Sequence, residues 1–392
     1  MKHINTKSEL SDLINSSLII GDNSIDEASE TDSIDCFPVI ALSELRSKKL
    51  LIASIHPKYG GFNLGLVSGT NLALLTILKN IGKGNLVVGR ILEGHINAQI
   101  LINQFGSKKQ KKIFAADAFE GKLFGVWNTQ TDGGTYLSEN NQGTYYLSGT
   151  KTFATGTDYV TRPLVTAAMK DGSWQMCVVP MDKVNVKSDQ AWWNPMGMKA
   201  SRSFKMTFIE SYIPKINLLG SSGNYYQQPG FSSGAARFAA VQLGAAERLL
   251  DETKKYLVSL DRTQDPFQRM RLAQMAIAVE SGNQWLYATA LRMDYYIERP
   301  TQDNGEEFVI YTHMMRTAIE QICTEVMALC QKCVGARGLN APYHFERIIR
   351  DLTTYLRQPA PDAILQDVGK RILQSDVSTG EIRNHNFKKS KK

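Results

Sequence analysis

The sequence predicts an α+β protein of three regions: an N-terminal all-α domain over residues 1–121, a middle β-barrel or sandwich over 122–230, and a C-terminal four-helix bundle with a basic tail over 231–392. Two observations predict this order. Apolar residues recur every three or four positions in the first and last regions, as in helices that bury one face. The middle region has short β-branched and aromatic runs separated by turn residues, which is typical of strands. With 392 residues, 43% of them hydrophobic, the chain can bury a large core.

The helical pattern of the first region runs from about residue 40 to residue 120. The stretch ALSELRSKKLLIASI has the three- and four-residue apolar spacing, and GRILEGHINAQILINQFGSKKQKKIFAADAFEG repeats it before closing on glycine. His95 lies in the second stretch, near Arg90 and Glu93. It could line a substrate pocket, but a lone helical histidine is more often packed or exposed.

The middle region contains two hairpin signals, Asn-Gln-Gly at 141–143 and Lys-Asp-Gly at 170–172, each between strand-like runs. A loop rich in glycine, serine and polar residues, LLGSSGNYYQQPGFSSG, follows the last of these runs. Beyond the loop, GAARFAAVQLGAAERLLDETKKYLV and RLAQMAIAVESGNQWLYATALRMDYY return to helical spacing, which predicts the bundle.

Charge and composition narrow the classes of function. The net charge of +7 comes from basic residues spread along the chain without a recognised nucleic-acid module, so we predict no nucleic-acid partner, and a small polyanion such as a dinucleotide or coenzyme A fits the charge equally well. No apolar run has the length of a signal peptide or a membrane span, which predicts a cytoplasmic protein without a membrane partner. The lysine-rich end at 388–392 is typical of a solvated terminus.

The five cysteines are too few and too scattered for a secreted disulfide framework. Cys330 and Cys333 form a CxxC pair in an apolar helical run, with no second pair or histidine cluster nearby. This context favours helix-core packing over metal or redox chemistry. The six histidines show no metal-ligand spacing, and we predict no metal. No GxGxxG motif follows a strand, so a Rossmann NAD site is not supported.

Several local motifs resemble, in their order, those of the acyl-CoA dehydrogenase family. Residues 57–61 resemble its Pro-x-x-Tyr-Gly-Gly turn, one residue shorter, and FGSKKQKKIF at 105–114 resembles its Tyr-Gly-x-x-x-Gln-Lys segment. GMKASRSFKMTFIESYIPKINLLG at 197–220 is similar to its Gly-Met-Lys/Arg strand pair, and Glu-Arg with Arg-Asp at 346–351 matches its C-terminal segment. The resemblance covers about residues 35–380. It implies the fold of this family, FAD bound between the β domain and the bundle, and a homodimer or homotetramer.

The resemblance also implies individual FAD contacts. Trp127 and Thr129 fall at the family's Leu-Thr-Glu-Pro strand end, so Thr129 is the candidate to hydrogen-bond the pyrimidine edge of the flavin. Phe153 replaces the tryptophan that stacks beside the flavin, and Thr155 supplies the hydroxyl near N5. Thr135 lies at the small-residue turn from which a hydroxyl reaches the bound thioester. Without the resemblance, such threonines read as β-surface residues and Phe153 as core.

Three further residues are implied in a cofactor contact between subunits. Arg262 stands at the arginine of the family's Arg-x-x-Phe-Gly segment, several residues shorter in this chain, which reaches the pyrophosphate of a neighbouring subunit's FAD. A guanidinium can pair bidentately with phosphate oxygens. Gly335 and Gly338 stand at a turn that in the family lies by a flavin, often that of a neighbouring subunit, with Ala336 and Arg337 in place of Gly-Asn.

Both positions that carry the catalytic glutamate in the family lack it here. The usual position is Pro359, and the alternative position, before an arginine in the first helix of the bundle, is Ala236. Arg237 is the candidate substrate contact. Asp362 is the carboxylate nearest to Pro359 in the chain, and we predict that it caps the following helix, a role that does not exclude service as a relocated base.

Three functions remain open at this point. The first is an FAD-dependent dehydrogenase or oxidase acting on an acyl thioester, either acyl-CoA or an acyl-carrier protein, or on a related small molecule, with a relocated base. The second is a flavin-dependent monooxygenase of the same fold, which needs no carboxylate base. The third is a non-catalytic flavin-binding or flavin-free pseudoenzyme. Loss of a general base costs about 10²–10⁴ in rate, so unaltered family chemistry is not expected.

Overall fold

The computed structural model describes residues 7–131, 133–357 and 360–374. In this part of the chain, helices form both ends and strands the middle, which confirms the predicted fold class. The first helices are α1 (Lys7–Glu30), α2 (Val39–Ser47), α3 (Asn71–Gly84), α4 (Leu86–Phe105) and α5 (Lys108–Phe119). The strands are β1 (Leu123–Trp127), β2 (Thr135–Glu139), β3 (Tyr145–Ala154), β4 (Val160–Ala168), β5 (Trp174–Val178), β6 (Val186–Asp189), β7 (Phe204–Ile213) and β8 (Leu218–Leu219). The last helices are α6 (Gly230–Ser259), α7 (Pro266–Glu298), α8 (Gln302–Gly338), α9 (Phe345–Leu356) and α10 (Pro361–Leu373).

Helix α1 lies ahead of the segment in which apolar spacing predicts helices. Leu13 and Ile20 are buried, but several other buried positions of α1 are small or polar, so the apolar stripe is too sparse to read from the sequence. The buried Glu27 carboxylate accepts hydrogen bonds from the backbone N–H groups of Ile40 (2.8 Å) and Ala41 (2.9 Å). These are donors of the first turn of α2 that have no partner inside that helix. A polar contact therefore helps to dock α1.

The strands of the middle region pair as one sheet in the order β6-β7-β3-β2-β4-β5-β8, with β1 parallel to β4. The turn at 141–143 joins antiparallel β2 and β3, and the turn at 170–172 joins antiparallel β4 and β5. Both hairpin predictions are therefore confirmed. The carboxyl ends of β1 and β3 lie side by side, since the Thr152 backbone N–H donates to the Thr129 carbonyl oxygen and the Trp127 indole donates to the Thr155 carbonyl oxygen.

The most extensive contact between the first helices and the bundle lies between α3 and α6. A Cβ atom at Gly82 would lie 2.3 Å from the Val241 carbonyl oxygen, and one at Gly244 would lie 2.1 Å from the Lys79 carbonyl oxygen. Only glycine permits backbones to approach so closely. The division into domains at residues 121 and 230 stays a prediction.

Arg350 and Asp351 on α9 join the bundle to the loop before β7. The Asp351 carboxylate accepts a hydrogen bond from the Met198 backbone N–H at 2.5 Å. The Arg350 guanidinium donates to the Met196 carbonyl oxygen at 2.9 Å and pairs with Asp32 at 2.5 Å. The two residues therefore bind other partners rather than each other.

His95 and the CxxC pair are core residues. His95 is fully buried; its Nε2 donates to the Leu51 carbonyl oxygen at 2.6 Å, and its Nδ1 accepts from the Phe124 backbone N–H at 3.1 Å. Burial lowers the pKa of His95 to about 4, so the ring is neutral. Cys330 and Cys333 are buried in α8, and burial raises the pKa of Cys330 to about 12.

Across 7–131, 133–357 and 360–374, no helix combines the length and the apolar character that a bilayer crossing requires. In the same residues, no three His, Cys, Asp or Glu side chains are grouped closely enough to hold a metal ion.

Candidate functional site

The carboxyl ends of β1 and β3 form what we call the strand-end surface, residues 127–130 and 153–155. The Trp127 indole Nε1 donates to the Thr155 carbonyl oxygen at 3.0 Å and so ties the two segments together. The Thr155 hydroxyl is half-buried and lies 3.0 Å from the Ser203 hydroxyl. The sequence-predicted residues Trp127, Phe153 and Thr155 are therefore neighbours in space.

Phe153 has the features of a ligand contact rather than of a core residue. Its side chain is 50% exposed, and its φ of +52° is rare for a residue with a Cβ atom. Trp192 and Trp193 meet its ring edge-on, with centroids 5.0 Å and 6.0 Å away. Strained backbone of this kind is concentrated at functional sites, where the surrounding structure maintains it.

Lys151 is buried beneath the strand-end surface and hydrogen-bonds to its 128–130 segment, although nothing in the sequence pattern of β3 singles it out. Its side chain is fully buried, and Nζ donates to the Asn128 carbonyl oxygen (3.0 Å), Gln130 Oε1 (2.9 Å) and the Thr166 hydroxyl (3.1 Å). All three acceptors are neutral. Burial therefore lowers the pKa of Lys151 to about 7, with Cys177 nearby.

The two remaining threonines of the β region occupy different environments. Thr129 is exposed, and its carbonyl oxygen accepts from the Thr152 backbone N–H at 3.0 Å. Thr135 is 1% exposed, and its hydroxyl donates to the Thr166 carbonyl oxygen at 2.8 Å. The Thr135 hydroxyl proton is thus used inside the sheet, which differs from the expected reach toward a thioester.

Opposite the strand-end surface, helices α4, α6 and α9 carry a group of buried and half-buried polar side chains that we call the polar cluster: Arg90, Glu93, Asn97, Arg237 and Tyr355. The Glu93 carboxylate pairs with Arg90 through one oxygen and accepts from Asn97 Nδ2 through the other, the latter at 2.6 Å. Arg237 Nε donates to Asn97 Oδ1, and its Nη2 lies 3.3 Å from the Ser233 hydroxyl.

The spacing of three members of this cluster along α4 is a signal that the sequence itself carries. Arg90, Glu93 and Asn97 are spaced three and four residues apart, so they lie on one face of α4. A polar stripe on a helix that is otherwise apolar is unusual, because burying polar side chains costs free energy unless they are paired.

The charges of the cluster are poorly shielded by solvent. Glu93 is 1% exposed and Arg237 is 4% exposed. Burial lowers the pKa of Arg237 to about 10, against the opposing effect of the Glu93 carboxylate. The Tyr355 hydroxyl is buried beside Arg90 without a hydrogen bond of ordinary geometry, and burial raises its pKa well above the usual value.

The strand-end surface and the polar cluster meet at one small void of about 10 Å³. Its lining includes Arg90 and Gly94 from α4 and Trp127 and Thr155 from the strand ends. A Cβ atom at Gly94 would have only the Gly125 Cα atom nearby, at 3.9 Å. Helix α4 therefore brings a guanidinium next to the strand ends.

The structure places the positions expected to carry or replace a catalytic base as follows. Ala236 is fully buried in α6, where its methyl group offers no proton acceptor. Pro359 lies outside the described residues. Asp362 is exposed in the first turn of α10, but the N-cap residue is Ala360, so the prediction that Asp362 caps the helix is wrong by two positions. Pro361 takes the first helical position, where its missing N–H costs nothing.

Arg262, Gly335 and Gly338 lie together at the other end of the bundle. Arg262 is exposed in the link after α6, and Gly335, with φ +58°, interrupts α8 where an added Cβ atom would meet open space. Gly338 is buried near Tyr256. Because a helix rises about 1.5 Å per residue, Arg237 and the end of α6 are roughly 33 Å apart. The structure does not bring these three residues to the strand-end surface of the same chain.

Comparison with known proteins confirms the resemblance that the sequence motifs indicate. Residues 221–356 match the family model described as acyl-CoA dehydrogenase, C-terminal domain. The chain is 23% identical over 345 residues to a short-chain specific acyl-CoA dehydrogenase of Clostridium acetobutylicum, and the match covers 83% of this chain and 86% of the relative.

Solved structures of the same fold cover nearly the whole chain. Butyryl-CoA dehydrogenase from Megasphaera elsdenii has a TM-score of 0.79 at 21% identity, covering 94% of this chain and 99% of its own. Dibenzothiophene monooxygenase (TdsC) from Paenibacillus sp. A11-2 has a TM-score of 0.82 at 19% identity, covering 95% and 98%, and a further structure of TdsC is FMN-bound. At these identities, the likeness shows the fold alone.

Proposed function

We propose that this protein, whose fold and C-terminal domain are those of the acyl-CoA dehydrogenases, is a flavin-dependent oxidoreductase that binds FAD against the strand-end surface. The observation that carries the proposal is the state of Phe153. Its ring is half-exposed on a strained backbone, two residues before Thr155, whose carbonyl oxygen accepts a hydrogen bond from the Trp127 indole. An aromatic face next to a neutral hydroxyl is chemically suited to the uncharged ring of an oxidised flavin.

Each residue of the surface would have a distinct role toward the cofactor. Phe153 would pack against the flavin ring, Thr155 would donate a hydrogen bond from its hydroxyl to a ring nitrogen, and Thr129 would hydrogen-bond the pyrimidine edge. Lys151 would not touch the flavin but would hold the 128–130 segment by its hydrogen bonds to Asn128 and Gln130. A bound flavin supplies electron-pair or one-electron transfer, which no side chain supplies.

Subunit contacts complete this proposal. Arg262 is exposed, and the backbone at Gly335 opens onto space that an added side chain does not meet. These properties suit a surface that binds the FAD pyrophosphate of a second copy, as in a homodimer or homotetramer. The substrate would enter on the side of the polar cluster, where Arg237 would contact it. An acyl-CoA, an acyl-carrier protein or a related small molecule is a candidate substrate.

The class of reaction depends on a base. Dehydrogenation next to a thioester requires a group that removes the α-proton, and Ala236 supplies none. The cluster contains one carboxylate, Glu93, and both of its oxygens are engaged by Arg90 and Asn97. This observation favours a second candidate, a flavin-dependent monooxygenase, in which the reduced cofactor reacts with oxygen and no carboxylate base is needed.

The deciding experiment is the visible spectrum of the purified protein, recorded anaerobically before and after a mixture of acyl-CoAs of different chain lengths is added. Flavin absorbance that bleaches would support dehydrogenation. Flavin that stays oxidised with acyl-CoAs, but after chemical reduction consumes oxygen faster in the presence of an organic substrate, would support monooxygenation. No flavin after reconstitution with FAD would overturn the proposal and leave the non-catalytic alternative.

A further inference from the structure

The polar cluster holds two guanidinium groups and one carboxylate. Among the described residues, the Glu93 carboxylate is the acidic partner that pairs with it, and it pairs with Arg90. Asn97 and Ser233, which bond to Arg237, are both neutral. One positive charge is therefore buried without a counter-charge in direct contact. A buried charge in this state is costly, and an anion brought into contact with it would reduce that cost.

Two features of the polar cluster bear on a ligand: room for at least a methyl group beside Arg237, and spare hydrogen-bonding capacity at Tyr355, next to Arg90. Gly234 lies on the preceding turn of α6, and a Cβ atom added there would lie 3.8 Å from Arg237 Nη2 and 3.9 Å from Asn97 Nδ2, at ordinary contact distance. The buried Tyr355 hydroxyl, 2% exposed, has no hydrogen-bond partner of ordinary geometry. Buried polar groups are nearly always paired, so an unpaired hydroxyl here indicates a missing partner.

We infer that the polar cluster binds an oxyanion, a carboxylate or phosphate group, of a small polar substrate, with Arg237 as the main ligand and Tyr355 as a second donor. The inference rests on the proposed function, because it assigns the substrate class of that same site. An unbranched acyl chain would have to lie against two guanidiniums, a carboxylate and an amide, whose burial it could not compensate. A guanidinium, in contrast, binds the planar fork of an oxyanion with two parallel hydrogen bonds.

The test is isothermal titration of the full-length protein, purified with its flavin, with three probes: succinate, inorganic phosphate and succinamide. Succinamide has nearly the size of succinate but no charge. We expect one of the two anions to bind with a Kd at least about tenfold lower than that of succinamide, since charge-assisted hydrogen bonds are worth roughly 1.5–3 kcal/mol. Tighter binding of succinate would assign a carboxylate on the substrate, and tighter binding of phosphate a phosphate group.

Variants separate binding from structure. Arg237→Met should remove the preference for the anion, Arg237→Lys should keep part of it, and Arg299→Met, an exposed arginine at the end of α7, should leave it unchanged. Because Arg237→Met removes an uncompensated charge, its midpoint of thermal unfolding without ligand should equal or exceed that of the wild type. A clearly lower midpoint together with unchanged anion binding would assign Arg237 a structural role and overturn the inference.

The same samples keep this inference distinct from the proposed function. Flavin content is read from visible absorbance, and anion binding from heat. Flavin without any preference for an anion over succinamide would overturn the inference and leave the flavoprotein proposal intact. Anion preference that depends on Arg237 in a protein that takes up no flavin would support the binding site and overturn the flavin proposal.

Discussion

The strand-end surface and the polar cluster, which form the two sides of the candidate site, differ in the charge of their side chains. The strand-end surface exposes an aromatic ring and hydroxyl groups, and the buried cation beneath it, Lys151, bonds only to neutral acceptors. The polar cluster on the helices buries charged groups that bind one another, as Glu93 does with Arg90. The strand-end surface is thus suited to an uncharged planar ring, and the polar cluster to a charged group. On the proposed function, the cofactor would therefore bind the strands and the substrate the helices.

The largest effect that we expect from breaking this contrast comes from Glu93→Gln. The substitution removes the buried carboxylate that pairs with Arg90 and leaves the buried Arg237 guanidinium without a negative charge nearby, and breaking a buried pair in this way costs about 3–5 kcal/mol. Urea denaturation should show a corresponding loss of unfolding free energy. The matched control is Asp189→Asn, which breaks the surface pair with Lys205 (2.9 Å) and should cost less than about 1 kcal/mol. Equal losses in both variants would mean that the cluster is not an energetically distinct buried site.

The second prediction concerns Lys151 and pH. Its pKa in the folded protein, about 7, is below its value in the unfolded chain, about 10.5. Between these values the unfolded state binds the extra proton, so the wild type gains stability with rising pH, by up to about 1.4 kcal/mol per pH unit from this residue. Below pH 7, the contribution of Lys151 to the unfolding free energy no longer changes with pH. The Lys151→Met variant should lack this slope.

Urea denaturation of wild type and Lys151→Met at pH 7, 8 and 9 measures the difference in slope. With each step in pH, the unfolding free energy of the wild type should rise relative to that of the variant. If the unfolding free energies of the two proteins changed with pH in parallel, Lys151 would titrate in the folded protein as it does in the unfolded chain. The lysine beneath the strand-end surface would then be charged throughout this pH range.

A smaller effect is expected from Thr155→Val, which removes a hydroxyl and keeps the shape of the side chain. Ser203 retains its contact with Ser201 at 2.8 Å, so stability should change by less than about 1 kcal/mol. The Kd for FAD should rise by about three- to tenfold, the loss of one hydrogen bond. Fluorescence titration of the apoprotein with FAD measures this. An unchanged Kd would exclude the Thr155 hydroxyl from the cofactor site.

The smallest effect on stability is expected from Phe153→Gly. Glycine adopts φ +52° without strain, and the half-exposed ring contributes little burial, so the free energy of unfolding should stay within about 1 kcal/mol of the wild-type value. Loss of the ring should nevertheless weaken FAD binding in the same fluorescence titration. A large loss of stability with unchanged FAD affinity would make Phe153 a core residue.

Much of the strand-end surface could be predicted from the sequence, because short motifs that resemble those of the family mark it. The resemblance singled out Trp127, Phe153 and Thr155, and the structure brings them together. Their roles toward a cofactor stay predictions. Lys151 could not be found this way, since a lysine in a strand is usually exposed and only the fold buries it.

The polar cluster was harder to predict, because its contacts join residues that are far apart in the chain. Arg237 was singled out by its neighbour in the family motif, but its partner Asn97 is 140 positions away in the chain. The expected helix cap at Asp362 was wrong because capping depends on where the backbone enters the helix, and Ala360 takes that position. The helix α1 was missed because part of its docking is polar, through Glu27.

The sequence by itself determined the order of helices, strands and helices, the hairpins and the absence of a carboxylate at position 236, because each depends on residues close together in the chain. Only the tertiary structure decided which polar groups are buried and with which partners. The free energy of a buried charge depends on its surroundings in three dimensions, and Glu93, Arg237 and Tyr355 are buried from three different helices.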